Sequence, residues 1–311
     1  MLSNFNAGVD HVISCIPGLP PTSCYDFPSF VQVEDISDYE FQYFMRQIAR
    51  VADAERLLVS SFEDLEPHVI KALTKQLNIQ AIGPILLLGK EEEKVGGIHH
   101  GSEDTSEQWL DKQKVNSVVY IAFGSLANLT LEEVHAIAYG LLQSKQPFIW
   151  ALREDTVPNV VDPLPPGFRQ SIVAQGLIMT WTQQRRLLKH PAIGAFLTHC
   201  GWGSTLESVC MGVPLICWPL YGDQLLNCNL LVDQWQAGIR LAPKLPNRRK
   251  SLLSTHVESA IVTIINSPIY RQNMSKLQNL AKKACGPNGN SKTNLQGLIH
   301  YLHMLLKDAP Q

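Results

Sequence analysis

The sequence predicts an α/β protein built on a doubly wound parallel sheet. Three observations carry that prediction. Residues 117–123 (SVVYIAF) form an unbroken apolar run, the mark of a strand buried on both faces. From residue 109 onward such runs alternate with stretches of helical apolar spacing, the pattern of βαβ units. One run, 195–198, passes through the glycine-containing turn HCGWGS (199–204) into a helix expected at 205–211. A strand that turns through glycines into a helix aims free backbone N–H groups outward, and such an end attracts phosphate.

The elements follow in order. Residues 1–30 read as loop, because IPGLPP (16–21) and FPSF (27–30) are turn and extended chemistry. A helix is expected over 38–53, a strand over 57–60 and a helix over 65–77, with Pro67 in the first turn where a missing N–H costs little. A short strand at 79–85 comes next. Residues 89–105 are charged and Gly-rich with no apolar period, and read as a linker. Strands are then expected at 117–123, 147–152, 177–181, 195–198, 214–218 and 238–241. The helix at 131–143 starts from Thr130, with Glu133 completing a capping box. Its Leu131, Val134, Ile137, Ala138, Leu141 and Leu142 keep helical spacing. Helices at 255–267, 268–285 and 291–306 close the chain, the last two separated by Gly286-Pro287-Asn288-Gly289.

Composition narrows the function. The 311 residues are 45% hydrophobic and 17% charged, enough for about two domains with sizeable cores. A formal net charge of -2 offers no basic field, so neither nucleic acid nor an anionic membrane is an expected partner. No apolar run reaches the roughly 18 residues that span a bilayer, and the N-terminus lacks the features of a secretory signal. A cytoplasmic location is expected. The seven cysteines are an odd count without metal-ligand spacing and read as reduced core thiols. His99-His100 reads as a solvated pair, so no metal is expected.

The stretch 181–224, WTQQRRLLKHPAIGAFLTHCGWGSTLESVCMGVPLICWPLYGDQ, concentrates the candidate site. Taken singly, its residues have ordinary explanations. Trp181 and His199 suit a core, and Ser204 with Glu207 suits a plain capping box. Every candidate nevertheless falls beyond the carboxyl end of an expected strand, where open parallel sheets bind ligands. Ser125 follows 117–123, Trp181 closes 177–181, His199 follows 195–198, and Asp223 lies a few residues past 214–218.

Along its whole length this stretch resembles the plant secondary product glycosyltransferase box of family 1 UDP-glycosyltransferases. Residues 60–73 (SSFEDLEPHVIKAL) and 79–86 (IQAIGPIL) resemble the closing portion of that family's first domain. The resemblance implies a GT-B fold of two Rossmann-like domains. It divides the chain into a residual first domain (1–88), a linker (89–108), a UDP-sugar-binding domain (109–290) and a C-terminal helix (291–311). It implies that Trp181 stacks on uracil, that Gln184 and Glu207 hold the ribose, that Ser125, His199 and Ser204 with helix N–H groups hold the diphosphate, and that Gly203 occupies a UDP-site position touching phosphate or sugar. Trp202, Asp223 and Gln224 contact the sugar. His199 could also offset charge on the departing UDP. Two positions depart from the family pattern. Gln183 stands where Pro is usual. Gly203 stands where Asn is usual, and it reads alternatively as a residue that eases the turn before the helix.

The family's catalytic His and the Asp that orients it match no residue of this sequence. His11 follows no strand–glycine pattern and is not assigned. The expected protein is an N-terminally shortened glycosyltransferase. It would move a hexose, glucose by preference, from a UDP-sugar to a hydroxyl of a small lipophilic acceptor, with inversion and without a cofactor. The rival is a non-catalytic UDP-sugar-binding remnant.

Overall fold

The computed structural model describes residues 11–33, 35–89, 103–241 and 252–308. The predicted linker residues 90–102 lie outside that set. The chain divides into two compact units. One is built from the described parts of Met1–Cys24, Phe30–Val95 and Lys276–Gln311, the other from Tyr25–Ser29 and those of Gly96–Ser275.

In the first unit, two short strands, β1 (Val12–Ile13) and β2 (Thr22–Ser23), pair antiparallel where loop was expected. Helix α1 (Tyr39–Val51) starts at Asp38, whose carboxylate accepts the Phe41 N–H at 3.0 Å. β3 (Leu57–Val59), α2 (Pro67–Leu73) and β4 (Ile79–Ala81) form a parallel βαβ unit. Here α2 and β4 each end about four residues short of the prediction. The strand stops before Gly83-Pro84, because Pro84 has no N–H to give the ladder. The last helix, Asn290–Asp308, belongs to this same unit. Its Ser291 hydroxyl donates to the Gly83 carbonyl at 2.6 Å, and its Asn294 amide donates to the Ala81 carbonyl at 2.8 Å.

The second unit opens with α3 (Glu103–Leu110), which starts inside the segment read as linker. β5 (Val118–Ala122), α4 (Leu131–Ser144), β6 (Phe148–Ala151), α5 (Phe168–Ser171), β7 (Gly176–Met179) and α6 (Gln184–Lys189) follow. Then come β8 (Ile193–Thr198), α7 (Trp202–Met211), β9 (Leu215–Cys217), α8 (Gln224–Asn229), β10 (Gly238–Arg240), α9 (Ser254–Asn266) and the first part of α10 (Pro268–Cys285), whose residues from Lys276 on belong to the first unit. All six strands lie within two residues of the predicted limits. They form one parallel sheet in the order β10-β9-β8-β5-β6-β7. That is the doubly wound order, and the chain changes direction between β5 and β8.

Both faces of the sheet are covered, which is why β5 carries no polar face. Val119 and Ile121 join the core beneath α4 and α9, while Val118, Tyr120 and Ala122 join a second core with Leu110, Leu187 and Leu188. The predicted capping box is present: Glu133 N–H donates to Thr130 Oγ1 at 3.2 Å and Thr130 N–H donates to Glu133 at 2.7 Å. Glu133 is also buried, and its other oxygen accepts the Trp218 indole N–H at 3.2 Å. One carboxylate thus ends a helix and satisfies a core tryptophan.

Helices α4 and α9 meet at Gly140. A Cβ there would lie 2.5 Å from Val257 Cβ and 2.7 Å from the Ser254 carbonyl oxygen. Helix propensity alone favours Ala over Gly by about 1 kcal/mol. The clash is with backbone and a β-branched side chain, neither of which moves cheaply, so packing decides the sign. Gly140→Ala is expected to destabilise the fold by about 1–3 kcal/mol, read as a lower midpoint in denaturant. An unchanged or raised midpoint would mean that the helices can part without cost.

Candidate nucleotide-binding site

The site forms at the switch point, where the segments after β5 and β8 diverge. After β8 the chain turns at Cys200, which is left-handed with φ 65°, and Gly201 caps α7. The helix therefore begins at Trp202, three residues before the predicted start, and this corrects two readings. Ser204 lies inside the first turn and makes no capping box with Glu207. Gly203 is a helical residue and does not ease the turn. Gly201 offers no side-chain cap to the start of α7. The turn is held from behind by Asn227, whose amide donates to the Cys200 carbonyl at 3.0 Å.

His199 is clamped at the centre of the switch point. A Cβ on Gly124 would lie 2.8 Å from its Nε2, and one on Gly201 would lie 2.6 Å away. Both positions must be glycine for the ring to fit, and Gly124 also carries φ 73°. Nδ1 pairs with the Thr198 hydroxyl at 3.1 Å. Burial pushes the His199 pKa down to about 4, with Asp223 opposing the shift and Arg153 adding to it. The imidazole is neutral at pH 7. The charge-offset role expected of it is therefore not that of an imidazolium, and it is left as a hydrogen-bonding ring.

Ser125 follows Gly124 on the exposed loop beyond β5. Arg153, just past β6, donates to the carbonyl oxygens of Gly124 and Ala127, the latter at 3.1 Å, and so fixes this loop. Trp181 lies two residues past the end of β7 and is 56% exposed, too open for the core reading. An open cleft lined by Arg153, Ile178 and Thr180 borders the ends of β6 and β7.

Gln184 opens α6, and its amide N–H groups donate to Ser204 Oγ at 3.0 Å and Glu207 at 2.7 Å. Ser204 and Glu207 sit three apart on α7 and share one face. On its other side Gln184 accepts from Tyr120 Oη at 3.4 Å, and that hydroxyl also pairs with Thr182 at 2.7 Å. Burial, with the Glu207 charge, pushes the Tyr120 pKa up, and the Thr182 hydrogen bond only partly opposes this.

At the other end of the box, Asp223 is exposed and accepts from the Asn227 amide at 2.8 Å. Gln224 is buried, and its carbonyl oxygen accepts the N–H groups of Leu220 and Tyr221 at 2.9 and 3.1 Å. Its acceptor is committed to the backbone, so only amide donors remain for a ligand. The adjoining turn is tied to Ser29, which accepts from Gly222 N–H at 2.7 Å and donates back at 3.1 Å. Trp202 stands at the start of α7, its ring 6.5 Å from that of Trp235. Gly203 faces open space, since an added Cβ would meet nothing within 4 Å.

The structure thus gathers Ser125, His199, Asp223 and the start of α7 around one switch point, and Gln184, Ser204 and Glu207 into one network. Sequence reasoning missed Tyr120, Arg153, Thr182 and Asn227. A tyrosine inside a fully buried strand needs a partner for its hydroxyl, which is the signal that could have exposed the first of these.

A parallel sheet of this order, with a glycine turn and helix at its switch point, defines a Rossmann-like domain, and the solved structures that it resembles are GT-B glycosyltransferases. The chain belongs to the UDP-glucoronosyl and UDP-glucosyl transferase family, whose pattern matches residues 38–285. It is 36% identical to linamarin synthase 1 of Manihot esculenta over 253 residues, 79% of this chain and 52% of that protein. To the 7-deoxyloganetin glucosyltransferase of Gardenia jasminoides it is 33% identical over 305 residues, 96% of this chain and 62% of the relative. It is also similar to the structure of Phytolacca americana UGT2 complexed with UDP-2fluoro-glucose and pterostilbene. That match has a TM-score of 0.81 and 28% identity, and covers 95% of this chain and 66% of the other. The chain therefore spans between half and two thirds of the length of these relatives. Among the described residues no helix is long and apolar enough to cross a membrane.

The depressed His199 pKa sets a pH dependence of stability. The unfolded chain takes up this proton near pH 6.5, the folded one only near pH 4. Between those values the unfolded state binds more protons, so this group's contribution is full above pH 6.5 and is lost as pH falls toward 4. His199→Gln should flatten the stability profile over that window by about 2–3 kcal/mol relative to the parent, read from denaturation midpoints at each pH. Parallel profiles for the two proteins would refute the shift.

Proposed function

We propose that this chain supplies the donor-binding part of a glycosyltransferase that moves glucose from UDP-glucose to a hydroxyl of a small lipophilic acceptor. The observation that carries the reading is the pairing of an exposed Trp181 beyond β7 with the Gln184–Ser204–Glu207 network and the capless start of α7. A flat aromatic suits uracil. Gln184 and Glu207, joined at 2.7 Å, suit the ribose, and Ser204, bonded to the same amide, suits the diphosphate. The N–H groups opening α7, with Ser125 and the neutral His199, suit a diphosphate. Trp202, Asp223 and Gln224 then read the hexose, Asp223 as acceptor and Gln224 as donor.

Glucose is favoured because Gln closes the box, which by resemblance accompanies UDP-glucose. Gly203 supplies no side-chain contact where the family has Asn, and its open surroundings leave that contact to solvent or ligand. We take the diphosphate charge to be met without a metal, because the donor set of imidazole, hydroxyl, amide and one carboxylate is poor for Mg²⁺. The names of the similar glucosyltransferases support the enzymatic reading over a binding remnant. The free thiols support a reducing, cytoplasmic setting, with neither nucleic acid nor membrane as a partner. In the reaction the acceptor hydroxyl attacks the anomeric carbon from the face opposite UDP and gives up its proton, which is the source of inversion. No residue of this sequence matches the family's His–Asp pair for taking that proton.

Calorimetry of the parent and Trp181→Ala with UDP, UDP-glucose and UDP-galactose tests this. Loss of a stacked, part-buried aromatic is worth about 1–3 kcal/mol, so the variant should bind UDP at least about 5-fold more weakly. The parent should prefer UDP-glucose. Equal affinity in parent and variant would remove the uracil platform, and a preference for UDP-galactose would overturn the sugar assignment.

A further inference from the structure

Three cysteines far apart in sequence meet behind the donor turn. Cys200 follows β8, Cys217 ends β9 and Cys228 lies in α8. All three are free and fully buried, and their sulfur atoms lie within 4.8 Å of one another. In a tetrahedral zinc–thiolate centre the sulfurs stand about 3.8 Å apart, so inward movements of well under an ångström would bring all three onto one ion. Buried thiols usually serve as small apolar fillers, and a pair touching by chance would call for nothing more. Here a third joins them, and a charge stands beside the group. Arg240 ends β10, in register with Cys217. Its side chain is 10% exposed and its Nη2 pairs with the buried Asp26 at 3.0 Å, whereas its Nε has no hydrogen-bond partner. The Cys200 thiol lies against the Thr198 carbonyl at 3.7 Å and the Cys217 thiol against the Leu215 carbonyl at 4.0 Å.

We propose that Cys200, Cys217 and Cys228 form a three-thiolate site for one soft divalent d10 cation of the zinc–cadmium class, with Arg240 facing the resulting negative charge. Thiolate ligands select soft ions over Mg²⁺ and Ca²⁺. Each ligating thiol gives its proton to the buffer, so S–H bonds are exchanged for S–metal bonds with no change of oxidation state. The centre then carries one negative charge beside the Arg240 guanidinium.

The test titrates the 311-residue chain, kept reduced with a phosphine, with Cd²⁺ alone. A thiolate-to-cadmium absorption band should rise to an endpoint at one ion per chain, with roughly two to three protons released. Zn²⁺ should compete, whereas Mg²⁺ should not. Cys228→Ser and Cys228→Ala should weaken binding at least 10-fold, with circular dichroism checking that each variant folds. Cys15→Ser, at an exposed site, should leave the endpoint unchanged. Should neither Cys228 variant fold, cadmium-113 resonance on the parent chain decides, with a shift typical of three sulfur ligands expected. No saturable band, folded Cys228 variants that bind as the parent does, or a shift typical of oxygen and nitrogen ligands would each overturn the proposal and return the three thiols to packing alone.

Discussion

The site depends on how closely two loops approach around one imidazole. His199 fits only because Gly124 and Gly201 present no side chains to it. That fit joins the segment after β5 to the segment after β8 across the sheet's switch point. Once the ring is seated, other contacts lock the loops. Arg153 grips the carbonyls after β5 and Asn227 grips the carbonyl after β8. The helix end is consequently aimed by packing and not by a side-chain cap from Gly201. The same burial that seats the ring also keeps it neutral.

A second economy lies in polar side chains that serve two elements at once. Glu133 caps α4 and satisfies Trp218, so the helix start and the floor beneath β9 are one construction. Gln184 is turned by Tyr120 so that its amide donors face α7. The orientation of a surface glutamine is thus set by a hydroxyl inside the sheet. Gln224 carries the same logic at the far end of the box, where the backbone takes its carbonyl oxygen and only donors remain. A site made this way is rigid on its protein side before any ligand arrives.

Most of the sheet was legible because buried parallel strands are long apolar runs that no other element imitates well. The 117–123 run needed no context, and the capping box at Thr130 and Glu133 is a local signal that survived intact. The start of α7 was misplaced because Ser204-x-x-Glu207 imitates a local cap. The true start is set by tertiary packing around His199, which sequence does not display. The pairing of Tyr25–Ser29 with the second unit, through Ser29 and Gly222, was hidden for the same reason. The gathering of Cys200, Cys217 and Cys228 was hidden too, since their spacing matches no motif and only the parallel register brings them together. Roles along the box came from resemblance, and geometry then refined which atoms of each residue can act.

The last helix carries a consequence for how the chain is made. Ser291 and Asn294 bond to carbonyls of Gly83 and Ala81, which leave the ribosome more than 200 residues earlier. The β3–α2–β4 unit therefore waits through the synthesis of all the residues between Gly83 and Ser291 for the helix that covers it. Throughout that interval the second unit, whose sheet is formed by a continuous stretch, can close on its own. Synthesis thus orders assembly against the direction of the chain. The βαβ unit, made before the sheet of the second unit, is completed after it.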